Sequence, residues 1–428
     1  MIYQFEIFRN LTFSEKKTFK LHLAYSFIEG IILGVLALNE YIFVKSMKGS
    51  EELLSILFSF TVVVLLFSVF ANEFLKRYSD KQKLLKTVAF ITRLPLFLLL
   101  LFPKDLATIT SNNIYHYYFL GIFFVFFLAQ PIVLPIINLF LKNNYKHQNF
   151  GKLYSYSNMI NKTALLIATF SFGRLLDYDN YAFKYIYPII GILGIVSIFL
   201  LSKIRVGNVI ISVRKSLIDS IRTSLKEFVL IMKRNKAYRD FEIGFMFYGF
   251  AFMSSAVMIP LFYNKVLELN YSSTAFYKNF YNVLAILALP LFGKLISKID
   301  PRKFSIMTFF LLFLTILFTA LTEYFPQSNE FLNIDFFYVL VLANVFYGLF
   351  AAAMPLLWSI GSAYFCKTEE ADTYQAIHLS LTGLRGLIAP LAGVLIYKFS
   401  NFTFTFSTGM LSLIIGITLM FYSMKKYR

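Results

Sequence analysis

Apolar residues along this chain gather into uninterrupted blocks of about 20, the length an α-helix needs to cross a hydrocarbon core of about 30 Å. Blocks such as Leu53–Phe70 and Phe304–Leu321 contain no charged residue. The period-two alternation of a closed membrane barrel is absent from them. The pattern predicts twelve helical spans, at 21–44, 53–72, 83–102, 115–141, 152–173, 183–203, 240–263, 275–297, 304–325, 336–364, 373–397 and 402–424. The first block is too long for the core of a signal peptide and is followed by no small-residue cleavage pattern, so it reads as the first span.

The longest polar interruption divides the chain into an N-terminal half (1–203), a linker (204–239) and a C-terminal half (240–428). Within the linker Val213, Leu217, Ile221, Leu225, Phe228 and Met232 recur at helical spacing, with Arg214, Lys215, Arg222, Lys226, Lys233 and Arg234 around them. This periodicity predicts an amphipathic helix lying on the inner leaflet, against the alternative of a disordered basic linker.

Composition agrees with the pattern. Of 428 residues, 58% are hydrophobic and 15% charged, where a soluble domain carries roughly a quarter charged. A net charge of +18 would suggest nucleic acid in a soluble protein. In a membrane chain it follows from basic residues collecting in cytoplasmic loops, so no nucleic-acid partner is expected. Most of the 41 Lys and Arg fall in inner segments if both termini are cytoplasmic, which predicts a multi-pass protein of the cell (inner) membrane with that orientation. One inner loop dissents, because Lys367-Thr368-Glu369-Glu370-Ala371-Asp372 is acidic. A single cysteine, Cys366, and four scattered histidines (His22, His116, His147, His378) predict neither a disulfide framework nor a metal site. The aromatic excess, 52 Phe and 28 Tyr, reads as lipid-facing and interfacial bulk.

Offsets of about 220 residues bring the halves into register. Asp80-Lys81-Gln82-Lys83 aligns with Asp300-Pro301-Arg302-Lys303, Pro131 with Pro355, and Gly173-Arg174-Leu175-Leu176 with Gly393-Val394-Leu395-Ile396. On this duplication and topology the chain resembles the major facilitator superfamily, which implies two six-helix bundles around a central cavity. The family's loop signature, Gly-x-Leu-x-Asp-x-x-Gly-Arg-Lys/Arg, is preserved in part by Gly293-Lys294-Leu295 and Arg302-Lys303. Ser297 replaces its Asp, Asp300 replaces its second Gly, and the first-half counterpart Asn72-Glu73-Phe74-Leu75-Lys76-Arg77 departs further. The resemblance implies cytoplasmic gating roles for Asp80, Gly293, Asp300, Arg302 and Lys303.

Ionisable groups at mid-bilayer cost about 2.5–3.5 kcal/mol on insertion scales and should face a cavity or a partner. Glu29, Lys162 and Arg385 are the candidates. Tyr154, Asn158 and Asn161 share one face of span five with Lys162 beside them, and His378, Thr382 and Arg385 repeat that spacing in span eleven. The two stripes are candidate substrate-binding surfaces; interhelical hydrogen bonding is the rival reading. Glu29 is a candidate proton-coupling group, or else a fixed ion-pair partner of Lys162 or Arg385. Arg93, near Pro95, reads as a structural or snorkelling residue. The resemblance adds Asn138, Asn282, Asn344, Tyr248 and Trp358 as possible cavity-lining positions.

Phosphate-binding, zinc-protease and serine-hydrolase motifs are absent, so no enzyme and no cofactor are expected. The run Gly386-Leu387-Ile388-Ala389-Pro390-Leu391-Ala392-Gly393 reads as a small-residue packing face with a kink. These observations predict a monomeric secondary transporter of a small, anionic or zwitterionic organic solute. The alternatives are proton-coupled efflux of amphipathic compounds through Glu29, and a receptor or assembly factor that moves nothing.

Overall fold

The structure, a computed structural model, describes residues 11–67, 75, 80–204, 217–296, 298–367 and 370–427. Its helices in chain order are α1 (Phe13–Leu36), α2 (Asn39–Lys45), α3 (Glu51–Val63), α4 (Lys81–Arg93), α5 (Leu106–Ser111), α6 (Ile114–Phe127), α7 (Gln130–Asn144), α8 (His147–Tyr178) and α9 (Phe183–Ser202). They continue as α10 (Leu217–Arg234), α11 (Lys236–Lys265), α12 (Tyr271–Ile296), α13 (Pro301–Tyr324), α14 (Tyr338–Ile360), α15 (Ala371–Phe399) and α16 (Phe402–Lys426). A short antiparallel hairpin, β1 (Ser328–Phe331) with β2 (Ile334–Phe337), precedes α14. Its two turn residues, Leu332 and Asn333, both have positive φ, the geometry that a tight two-residue hairpin turn requires. The span expected from 336 therefore begins at Tyr338.

Ten helical stretches among the described residues are long and apolar enough to cross a membrane, so the chain is a multi-pass membrane protein. The expected spans at 53–72 and 152–173 are the two outside that set. α3 continues as a 3-10 turn to Phe67, where the described residues pause. α8 is 32 residues long, but polar residues including Asn158, Asn161, Lys162 and Thr163 interrupt its apolar surface. Prolines account for other irregularities: α4 passes into a 3-10 segment, Leu94–Leu101, at Pro95, and the fourth span is broken between α6 and α7 just before Pro131.

The chain forms two compact units. The first comprises 1–42 and 67–215, the second 43–66 and 216–428. In the first, α1 lies along α8. Lipid gives helices no hydrophobic reason to associate, so close backbone approach has to supply the attraction. Gly30 and Gly34, four residues apart, permit it: a Cβ on Gly30 would sit 2.3 Å from the Asn161 carbonyl oxygen, and one on Gly34 would sit 2.5 Å from that of Leu165. Polar contacts fasten the ends. Thr12 and Glu15 form a reciprocal cap, and the buried Glu15 also accepts from the Lys146 amide at 3.0 Å and Asn149 Nδ2 at 2.8 Å.

In the second unit α11 packs on α15 and α16, and α13 on α14 and α16. The stretch 43–66, which the sequence reading counts with the first half, is held here. Ser46 and Tyr271 share a hydrogen bond of 2.5 Å, Lys265 pairs with Glu51 at 2.5 Å, and Lys398 pairs with Glu52. Gly386 meets Val62 of α3 and Gly393 meets Ser254 of α11, so the small-residue run is a packing face.

Some aromatic rings lie inside the units and others on their outer faces. The largest fully buried side chains are tyrosines and phenylalanines, among them Tyr41, Tyr187, Tyr238, Tyr271 and Phe119.

Candidate functional site

The polar stripe of α8 forms on one side of the α1–α8 contact. Asn161 Nδ2 donates to the Ser26 carbonyl at 2.9 Å, and Thr169 donates to the Gly34 carbonyl at 2.9 Å. Ser157, not singled out in the sequence, meets His22 Nδ1 at 3.2 Å, and Tyr145 meets the same nitrogen at 3.2 Å. These residues join helices. Tyr154, Asn158 and Lys162 turn outward: all three are exposed within their unit. Lys162 makes no hydrogen bond or ion pair among the described residues. The expected stripe therefore separates into a structural edge and an exposed edge that carries the cation.

The stripe of α15 is placed differently. His378, Thr382 and Arg385 are all buried against α11. Arg385 donates to the Phe245 carbonyl and, at 2.6 Å, to Thr382 Oγ1; its guanidinium lies 6.0 Å from the Phe245 ring centre. Its Nε has no hydrogen-bond partner among the described residues. Room for the side chain comes from Gly249, where a Cβ would fall 2.5 Å from Arg385 Cδ. The guanidinium thus sits in a slot that a larger residue would close.

Beside it stands Glu242 of α11, which the sequence reading missed. Its carboxylate oxygens lie 3.0 and 3.1 Å from His378 Nδ1, and both side chains are 1% exposed. The signal available was its place 220 residues after His22, as His378 follows Ser157 by 221. Trp358 and Phe245 flank the imidazole at 5.9 and 4.9 Å between ring centres.

Glu29 is part of neither stripe. It accepts a hydrogen bond from Ser197 of α9 at 2.7 Å, and its charged neighbour is Arg93 rather than Lys162 or Arg385. Arg93 is buried, donates to the Phe126 carbonyl at 3.0 Å and lies 4.0 Å above the Phe126 ring. It is held inside the unit and does not snorkel. The other expected positions vary. Tyr248 is buried and stacked on Phe309, Asn344 and Asn282 bond back to their own helices, and Asn138 is exposed.

The loop residues act as helix caps. Asp80 accepts from the Lys83 amide at 2.9 Å. Asp300 accepts from the Arg302 amide at 2.7 Å and pairs with its guanidinium at 2.7 Å, while Arg302 also reaches the Ser423 carbonyl at 3.0 Å. Lys303 is exposed, and nothing lies within 4 Å of where a Gly293 Cβ would be. Ser297 and most of 72–77 lie outside the described residues.

The dissenting acidic loop finds its reason in the second unit. Glu370 pairs with Arg234, the last residue of α10, at 2.6 Å, beside an open cavity of about 600 Å³ lined also by Asn235, Lys367 and Tyr374. The Arg234 hydrogen bond holds the Glu370 carboxyl below its usual range. Glu370 of the loop thus receives the basic end of the linker helix, whose described part begins at Leu217.

The family described as Major Facilitator Superfamily matches residues 21–333. Curated proteins give no sequence match. Among solved structures, similarity extends over nearly the whole chain. A POT family transporter in complex with a thioalcohol-conjugated peptide superposes with a TM-score of 0.70 at 12% identity, over 96% of this chain and 96% of its own. The nucleoside transporter NupG gives 0.64 at 12% identity, over 97% and 100%. The human organic anion transporter MFSD10 (TETRAN) gives 0.63 at 10% identity, over 95% and 99%.

Proposed function

Because the chain belongs to the major facilitator superfamily, we propose that it is a secondary active transporter working by alternating access on a small anionic or zwitterionic organic solute. The solved structures of like fold are of nucleoside, peptide and organic anion transporters, so the fold leaves the solute open and the residues must decide it. The observation that carries the choice is Lys162. It is an ammonium in the middle of a long helix, exposed and without a carboxylate partner among the described residues. A charge so placed is costly unless something of opposite sign meets it during the working cycle. Arg385, whose Nε has no hydrogen-bond partner among the described residues, supplies a second cation in the other unit.

In this reading Tyr154 and Asn158 accompany Lys162 at the solute. His378 and Thr382 position Arg385, and Asn161 is structural. Asp80, Asp300 and Arg302 hold the helix ends on the cytoplasmic side, with both termini cytoplasmic and the protein a monomer in the cell (inner) membrane. Glu29, held by Ser197 in the field of Arg93, acts as a fixed partner rather than as the coupling group.

Reconstitution into liposomes tests the reading. Wild-type protein is expected to move organic anions, and Arg385→Ala to lower the flux by about 100-fold while keeping its elution profile and helix content. Normal flux by that variant removes the argument for the solute class. Absence of any flux, with tight binding to a protein partner instead, favours the receptor alternative.

A further inference from the structure

Glu242 and His378 form a buried, hydrogen-bonded acid–base pair, of which the site described above uses only His378, as a positioning residue. His378 Nδ1 faces the carboxylate, leaving Nε2 as a buried nitrogen with no hydrogen-bond partner among the described residues. Burying such a group costs free energy unless it is satisfied in some state of the protein. Arg385 lies seven residues along α15 and feels the charge of Glu242. With the imidazole neutral, the pair carries one negative charge, which balances Arg385. One more proton on Nε2 makes the pair neutral and leaves the guanidinium charge uncompensated.

We propose that Glu242 and His378 are a proton-binding dyad whose occupancy controls the charge that Arg385 offers to an anionic solute, so that proton and solute bind together. The inference rests on the anion-transport reading and adds the identity of the coupling site. The step balances simply. Hydronium gives a proton to the Nε2 lone pair and leaves as water, while the Nδ1–H donates to the carboxylate before and after. An approaching solute carboxylate or phosphate then meets an unbalanced guanidinium.

The other ionisable groups around the pair are few. From α11 come Tyr238, whose hydroxyl donates to the Tyr374 carbonyl at 2.7 Å, the Arg239–Asp240 pair at 3.0 Å, and Tyr248. From α15 come Tyr374 and Arg385, and Cys366 lies just before that helix. Arg302 of α13 stands 5.9 Å from the Phe365 ring, bonded to Asp300. α14 contributes the uncharged Trp358, and α16 meets α11 here through Met420 at Gly244. Arg385 is the cation positioned to exchange charge with the dyad.

Trp358 is the only tryptophan in the chain, and its ring lies 5.9 Å from His378. An imidazolium quenches a neighbouring indole, so the intrinsic fluorescence of the purified protein reports this proton directly. On acidification over the pH range in which the protein stays folded, wild-type emission is expected to fall in one step. His378→Gln abolishes the step, and Glu242→Gln, which keeps a hydrogen bond but removes the charge, moves it. A flat wild-type trace, or an unchanged step in His378→Gln, overturns the proposal. Because the measurement needs no solute, a step without any flux would discredit the transport reading alone. Flat emission alongside robust, pH-independent anion flux would sink the dyad alone. Once a transported anion is in hand, its affinity should fall up to about tenfold per pH unit on the alkaline side of the step, since linkage is reciprocal. That slope should vanish in His378→Gln.

Discussion

The α1–α8 pair of the first unit and the α11–α15 pair of the second use one plan with opposite chemistry. In each, a side chain of the later helix donates to a backbone carbonyl of the earlier one: Asn161 to Ser26, Arg385 to Phe245. In each, a polar pair links the helices at nearly equal sequence separation, His22 with Ser157 at 135 residues and Glu242 with His378 at 136. In the first unit the α8 stripe bonds to α1 through the Asn161 amide, hydroxyls and the His22 imidazole and turns Lys162 outward, while the unit's buried cation, Arg93, lies beside Glu29 outside that stripe. The second buries its cation beside an acid–base pair. A shared scaffold thus permits two uses of charge: one cation displayed, one held under the control of neighbours.

The largest expected effect falls on the buried cation. Arg385→Ala should lower transport by about 100-fold, the equivalent of losing a charge-assisted interaction of about 3 kcal/mol, with the protein still folded by size-exclusion chromatography. Equal losses from Arg385→Ala and Asn161→Ala would break the contrast, since Asn161 is proposed as structural alone.

Scaffold and site separate at the glycines. Gly30→Leu forces a side chain into the Asn161 backbone and should destabilise by about 3 kcal/mol, seen as a lowered thermal unfolding midpoint in detergent. Gly249→Ala would place its Cβ 2.5 Å from Arg385 Cδ and Nε and 2.8 Å from Cζ, so it displaces the guanidinium, and its thermal cost should be smaller than its loss of transport. The reverse order would show that the slot serves stability more than function.

A milder effect is expected at the displayed cation. Lys162→Gln should weaken solute binding about tenfold, or ~1.4 kcal/mol, and leave thermal stability unchanged because the side chain has no bonded partner among the described residues. A large fall in stability would place Lys162 among the structural residues.

Smallest of all is the surface pair Arg234–Glu370. The hydrogen bond depresses the carboxyl in the folded protein, so its contribution is present above the unfolded-state value and is lost as pH falls through the folded one. Glu370→Gln should lower stability slightly at neutral pH, converge with the wild type in acid, and so flatten the acid limb of a stability-against-pH curve.

Much of this was legible from residues alone, for reasons that also explain the gaps. Spans announce themselves because lipid demands about 20 apolar residues, and Lys162 and Arg385 stood out as charges inside such blocks. The helix over α10 was legible from its periodicity, whereas its pairing with the acidic loop required the fold. Glu242 was hidden because it lies two residues past Asp240, where an acidic residue reads as the edge of a span. Only the packing of α15 on α11 reveals that it is interior. The direction of each stripe was equally invisible: a helix face is set by the sequence, but what lies opposite it is set by a helix more than a hundred residues away. The hairpin was missed because its turn, Leu332-Asn333, lacks the glycine that usually marks one.

The most direct test of the central claim is thermal stabilisation of the purified protein by a panel of anionic, zwitterionic, cationic and neutral organic solutes, with Lys162→Gln measured in parallel. A ligand of the folded state raises apparent stability with its concentration. Anionic or zwitterionic solutes should stabilise the wild type and lose about tenfold in apparent affinity against the variant. Stabilisation confined to cationic or neutral solutes, or an identical response from the variant, would contradict it.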